Sequence, residues 1–256
     1  LVESAIIIYD TGMTTYQNEK DSQPSWGRIL KPAEITENRL INAILDGTFP
    51  PDSNLPGERE LADSLGVTRP TLRETLQRLE RDGWVEIHHG KPTRVKDYLK
   101  EGRLGVLNSL AEHLDCLSQD FVANLLNVRL AMAPMYTALA VKNAPDNVIA
   151  FLNQRNDLQD LPEEYAQFDW DLQHQLTLLS DNPVFVMILN SFDDLYLKLA
   201  PRYFSTPEAR QRSLTYYQDL AKAAQAGDIK LTKTLTEEVM QDSVNFWRQT
   251  ESIQAK

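Results

Sequence analysis

Residues 55–95, LPGERELADSLGVTRPTLRETLQRLERDGWVEIHHGKPTRV, decide how this chain is read. Leu61, Ala62 and Leu65 have the spacing of one helical face, which predicts a helix over Glu58 to Leu65. Gly66 follows, where a helix stops because glycine enters the left-handed backbone cheaply. Thr68 is a natural N-cap, and Pro70 suits a first turn, where its missing N–H would be unpaired anyway. Leu72, Leu76 and Leu79 predict the inner stripe of a second helix that runs to about Asp82 and ends at Gly83. Trp84–Ile87 and Thr93–Val95 read as short strands, with His88-His89-Gly90-Lys91 as the turn between them. Helix, turn, helix and wing in that order predict a winged helix-turn-helix, whose second helix fits the major groove of DNA.

The basic residues fall where such a helix needs them. Arg69 and Arg73 are four apart and project from one face of its N-terminal end. The planar fork of arginine suits guanine O6 and N7. Thr68 and Thr71 can donate to phosphates, and the helix N-terminus itself favours an anion. Arg59 opens the preceding helix and is placed to brace the DNA backbone, while His89, Gly90 and Lys91 form a small basic wing tip for a minor groove. The competing expectation is that these arginines form surface ion pairs with Glu58, Glu74 and Glu80.

Upstream, Ile35, Leu40, Ile41 and Ile44 predict a first helix, closed by Gly47 and the Phe49-Pro50-Pro51 turn. The polar stretch from Met13 precedes it. Residues 1–31 read as an extended or disordered tail, with Met13 as an alternative start and no signal-peptide pattern. Downstream of Val95 strand signals stop. Helical periodicity continues, punctuated at Ser118, Pro145, Leu161-Pro162, Asp181-Asn182-Pro183, Ser205-Thr206-Pro207 and Gly227-Asp228. Six or seven antiparallel helices are expected there. The organisation is therefore mostly α: a winged helix-turn-helix over 32–96, a linker with a linker helix over 97–117, an all-α antiparallel bundle over 118–250, and a tail over 251–256.

The net charge of −11 at first opposes nucleic-acid binding. Residues 101–256 carry 13 basic and 21 acidic side chains, hence −8, whereas residues 55–96 carry 8 and 7, hence +1. The acidity thus lies mostly away from the expected DNA face, where it limits non-specific binding. A single cysteine, Cys116, excludes an intramolecular disulfide and suits a reducing cytoplasm. The apolar runs, such as Val184–Leu189, are too short to span a bilayer. No nucleophile elbow, P-loop or Cys–His pair suggests an enzyme.

The segment 55–95 resembles the DNA-binding domain of GntR-family bacterial transcription regulators, whose signature runs L-P-x-E-R-x-L-A, then a G-V-[ST]-R-x-T-[VL]-R-E-x-L recognition helix, then L-x-x-x-G-W/L and a wing. Within that family it is most similar to the FadR branch. HHGKPTRV in the wing, LLNVRLAM (125–132), SDNPVF (180–185), RYFSTPEAR (202–210) and Trp247 carry that similarity, which covers about Pro32 to Arg248. The resemblance implies a homodimer that reads a pseudo-palindromic operator, as repressor, activator or both, in control of fatty-acid metabolism. It also implies that an effector in the bundle changes DNA affinity.

Many GntR relatives bind a metal there through one Asp and three His. Here Gln173 stands at the His of Asp169-Trp170-Asp171-Leu172-Gln173, Tyr217 at the second and Val239 at the third, so no metal and no cofactor is expected. The FadR branch holds long-chain acyl-CoA instead. The resemblance carries Arg129, Tyr203, Tyr217, Ser243 and Trp247 to its ligand pocket, with Leu126, Met132, Met135, Phe168, Phe185, Leu189, Phe192 and Phe246 as candidate apolar walls. Met240 replaces a small glycine of the branch and is expected to crowd the cavity. Two alternatives stay open. One is a GntR regulator of another small carboxylate or apolar effector. The other is a helical lipid-binding protein whose winged helix makes protein contacts.

Overall fold

The computed structural model describes residues 31–88, 90–113 and 120–254. Residues 1–30 of the expected N-terminal tail, Met13 among them, lie outside them, as do His89, Cys116 and Ser118, whereas residues 251–254, expected as a C-terminal tail, belong to the last helix. The first three helices are α1 (Pro32–Leu45), α2 (Glu58–Leu65) and α3 (Arg69–Asp82), followed by the antiparallel pair β1 (Val85–Glu86) and β2 (Arg94–Val95). Thr68 caps α3 by accepting from the Thr71 N–H at 3.3 Å, and Gly66 and Gly83 close α2 and α3 in the left-handed region. Leu40, Ile41, Ile44, Leu61, Leu72, Leu76, Leu79, Trp84 and Val95 form one core. Ile35 was expected on its inner stripe but is 39% exposed. Its neighbour Thr36 is buried instead, its hydroxyl satisfied by the Pro32 carbonyl at 2.7 Å. The strands are shorter than expected, because pairing is limited to Val85 with Val95 and Glu86 with Arg94.

Two short helices follow, α4 (Tyr98–Glu101) and α5 (Leu104–Ala111). Gly83 sits against this connector: its φ is +98°, and an added Cβ would lie 2.9 Å from the Arg103 nitrogen. The Arg103 N–H donates to the Asp82 carbonyl at 3.1 Å and its guanidinium to the Arg81 carbonyl at 3.1 Å. Trp84 packs on Tyr98 with ring centroids 5.0 Å apart. The connector is thereby joined to the end of α3.

The remaining helices are α6 (Asp120–Asn143), α7 (Pro145–Asn153), α8 (Pro162–Leu179), α9 (Pro183–Asn190), α10 (Asp193–Tyr203), α11 (Pro207–Ala226) and α12 (Ile229–Gln254), with a 3-10 turn at Gln154–Asp157. Prolines open α7, α8, α9 and α11, and Asn182 and Thr206 cap α9 and α11 through their side chains. The start of α10 carried no such signal in the sequence. Helix α6 lies along α12 and α8, and α11 lies against α12 and α7. Buried Tyr136, Leu152, Leu172, Leu176, Phe204, Tyr216, Tyr217 and Leu220 fill the space between them. Among the described residues no helix is long and apolar enough to cross a membrane.

Candidate nucleic-acid interface and apolar cavity

The outer end of α3 presents Arg69 and Arg73 to solvent, beside exposed Arg59 on α2. Arg73 is engaged: its Nε donates to Glu58 Oε2 at 2.7 Å. Arg69 and Arg59 have no ion pair among the described residues. The pairs expected with the three glutamates are therefore only partly made. Glu58 takes Arg73, Glu74 takes Arg78 at 2.5 Å, and Glu80 accepts instead from the Ile87 N–H at 2.8 Å. Thr68 and Thr71 share a hydroxyl hydrogen bond of 2.9 Å at the helix start. Gly90 at φ +72° and exposed Lys91 end the wing. Its root is fixed by Arg94, which donates to Asp52 at 2.7 Å, Glu86 at 3.0 Å and Glu101 at 2.8 Å. Those three carboxylates hold the Arg94 charge in place, Glu101 and Glu86 foremost. Arg94 is thus a structural clamp of the wing that the sequence did not reveal.

The second site is an apolar cavity of about 110 Å³ between α6, α8, α9, α10 and α12. Arg129, Tyr203, Ser243 and Trp247, four of the five residues that the resemblance carries to an effector pocket, line it together with Leu126, Met132, Leu189 and Phe192. Several expected wall residues lie elsewhere. Phe168 is buried against Phe151 and Tyr217, Phe185 packs edge-on against Tyr136, and Met135 is 54% exposed. Phe246 does not reach the lining, nor does Met240, which is buried in the main core and leaves the cavity uncrowded. Tyr136, Trp170, Gln173, Leu195, Tyr196 and Leu199 line the cavity without having been expected there.

Tyr217 is likewise not in the lining. It is buried behind the cavity and donates to Asp169 Oδ1 at 3.0 Å. Asp169 Oδ2 accepts from Tyr196 at 2.6 Å and forms an ion pair with Arg129. Burial opposes the Arg129 charge, but the Asp169 carboxylate beside it holds the guanidinium firmly protonated. Burial first, and then the same carboxylate, push the Tyr196 and Tyr217 hydroxyls well above the usual phenol range. The four positions at which the resemblance would place metal ligands are Asp169, Gln173, Tyr217 and Val239, of which Asp169 and Tyr217 are joined by the 3.0 Å hydrogen bond. They do not fit an ion, because both Asp169 oxygens are occupied and Arg129 supplies the positive charge a metal would bring. Among the described residues no group of three His, Cys, Asp or Glu is placed to hold a metal. Asp169 was legible only as part of a broken metal motif. A carboxylate on the Tyr165–Phe168–Leu172–Leu176 core face was the stronger signal.

Tyr203 and Ser243 hydroxyls lie 3.2 Å apart, and Ser243 also donates to the Val239 carbonyl at 2.8 Å. Arg202 stacks over the Trp247 ring at 5.3 Å. Trp247, Leu195 and Leu199 pack against Ala111 at the end of α5. The same short helix sends Val106 and Leu110 into the core that holds α3.

Residues 96–255 match the FadR C-terminal domain model, and residues 32–95 match the model of bacterial regulatory proteins of the gntR family. This chain belongs to the FadR branch of the GntR family. It is 42% identical over 193 residues to the fatty acid metabolism regulator protein of Shewanella halifaxensis, covering 75% of this chain and 81% of that one. The fatty acid metabolism regulator protein of Klebsiella pneumoniae is 38% identical over 216 residues, covering 84% and 90%. The fold of this GntR-family chain is also that of the solved Lar protein, which controls expression of the Listeria monocytogenes agr system. The TM-score is 0.57 at 16% identity, over 87% of this chain and 99% of that one. This GntR-family protein is a DNA-binding transcription regulator and not an enzyme.

Proposed function

We propose that this protein is a homodimeric regulator of fatty-acid metabolism that long-chain acyl-CoA releases from a pseudo-palindromic operator. The observation that carries this is the shared helix α5. Leu195, Leu199 and Trp247 line the cavity and pack on Ala111, while Val106 and Leu110 of the same helix sit in the core that positions α3. In this scheme Arg69 and Arg73 read bases, Arg59, Thr68 and Thr71 bind phosphates, and His89, Gly90 and Lys91 enter the minor groove. Arg129, Tyr203, Ser243 and Trp247 bind the effector, and Tyr217 supports them through Asp169. The relatives' name, fatty acid metabolism regulator, supports the class of effector.

The cavity holds about 110 Å³. That is below the roughly 300–1,000 Å³ of ordinary small-molecule sites. A long acyl chain must therefore displace the α9 and α10 walls, and α10 packs directly on α5. Operator affinity then falls by as much as the ligand prefers the displaced state. The test is titration of a labelled operator complex with an acyl-CoA series of increasing length. Release by long chains, with no release by free CoA and no effect of chelators, is expected. No release at any length would overturn the proposal. Trp247 fluorescence should change on binding, and Ser243→Asn should weaken the response by narrowing the cavity.

A further inference from the structure

The cavity wall is apolar except for a few polar groups, and one of them is in the wrong company for a plain hydrocarbon. Gln173 is 1% exposed and lines the cavity. Its Oε1 accepts from the Tyr136 hydroxyl at 2.6 Å. Its Nε2 is buried and has no hydrogen-bond partner among the described residues. The amide cannot simply turn round to hide this. The Arg129 guanidinium adjoins the Tyr136 hydroxyl and, being a cation, offers it only donors. The hydroxyl then gives its proton to Gln173 Oε1, and the amide NH₂ is the end left without a partner. Arg129 Nε, on the same wall, is also buried without a partner. A buried donor left unpaired is costly, so a hydrocarbon tail would be a poor occupant at this point.

We propose that the cavity selects an acyl group bearing a hydroxyl or keto oxygen along its chain, and that Gln173 is the residue that reads that oxygen. This rests on the acyl effector argued above. The oxygen in question is not the thioester carbonyl. Trp247 Nε1 is another buried, unpartnered donor, but Trp247 clusters with Leu125 and Leu126, which precede Tyr136 on α6 by a separation of roughly 15 Å along the helix axis. One carbonyl cannot serve both places, whereas a chain with a second oxygen can. Nor does the wall ask for a second carboxylate, because Asp169 already neutralises Arg129. A neutral acceptor satisfies Gln173 without bringing an uncompensated charge into the core.

The experiment is calorimetric titration of the full chain with hexadecanoyl-CoA and with a set of its hydroxylated isomers, from the 3-hydroxy compound to mid-chain positions. At least one isomer is expected to bind wild type about tenfold more tightly than the unsubstituted chain, equivalent to about 1.4 kcal/mol. Gln173→Met keeps the length of the side chain and removes the amide. It should abolish that preference and bind the unsubstituted chain a few-fold more tightly than wild type. Equal binding of the parent and every isomer to wild type would overturn the proposal, as would a preference that survives in Gln173→Met. The wild-type series alone decides it if the variant does not fold. Failure of wild type to bind any acyl-CoA, parent included, overturns the acyl reading and this inference with it. Equal binding overturns the inference alone.

Discussion

Arg73 Nε donates to Glu58 Oε2 at 2.7 Å, so one of the two arginines on the outer face of α3 is tied to the first residue of α2. Arg69, four residues earlier, has no ion pair among the described residues. Both side chains are exposed, and an exposed pair of this kind is worth little in stability. Its consequence lies in DNA binding, since Arg73 must leave Glu58 to reach a base and Arg69 need not.

Arg69→Ala should therefore weaken operator binding by about 1–3 kcal/mol and relax preference at one guanine. Arg73→Ala should weaken it less, because the lost base contact is partly offset by the ion pair no longer broken. Mobility shifts on single-base operator variants measure both. Equal losses would mean that the Glu58 pair has no part in binding.

Gly83 should tolerate no side chain. Gly83→Ala would place a Cβ in the left-handed backbone, costing about 1–2 kcal/mol, and 2.9 Å from the Arg103 nitrogen besides. Chemical denaturation should show a loss of at least that size. Operator response to effector should suffer too, since this contact joins α3 to the connector. A variant as stable as wild type would show that the connector can move aside freely.

Removing Asp169 should be the most damaging single change in the bundle. Asp169→Ala leaves the Arg129 cation without its partner in a buried site, at a cost of roughly 3–5 kcal/mol. Tyr217→Phe loses one hydrogen bond to that carboxylate, roughly 1.5–3 kcal/mol, without touching the cavity wall. Effector affinity measured at full folding should therefore change little in Tyr217→Phe. A large loss there would place Tyr217 in direct contact with the ligand.

Stability should fall steeply at alkaline pH. Burial raises Tyr136, Tyr196 and Tyr217, and it pushes Tyr216 up to about 12. Below about pH 10 tyrosine is protonated in the folded and the unfolded chain alike, and the contribution is complete. Above it the unfolded chain releases protons that the folded chain retains, so stability declines as pH rises through the folded values. Phenolate absorbance followed against pH should show part of the nine tyrosines ionising only with unfolding. Smooth ionisation of all nine in a folded protein would contradict this.

Much of the reading head was legible because its signals are local. Helix spacing, the Thr68 cap, Gly66 and Gly83 act within a few residues, and the sequence alone determined α2, α3, the wing and the outward pairing of Arg69 with Arg73 on one face. Proline and cap residues likewise marked the starts of α7, α8, α9 and α11, while α10, opened by Phe192 with no such residue, was hidden. Tertiary structure decided what depends on distant partners. Only packing brings Arg129 to Asp169 across 40 positions, turns Ile35 outward, draws Tyr217 behind the cavity and puts Gln173 in its wall. Helical periodicity says which face is buried, but not which neighbour covers it. That choice belongs to the crossing of α6, α8 and α12, and with it the chemistry of the cavity.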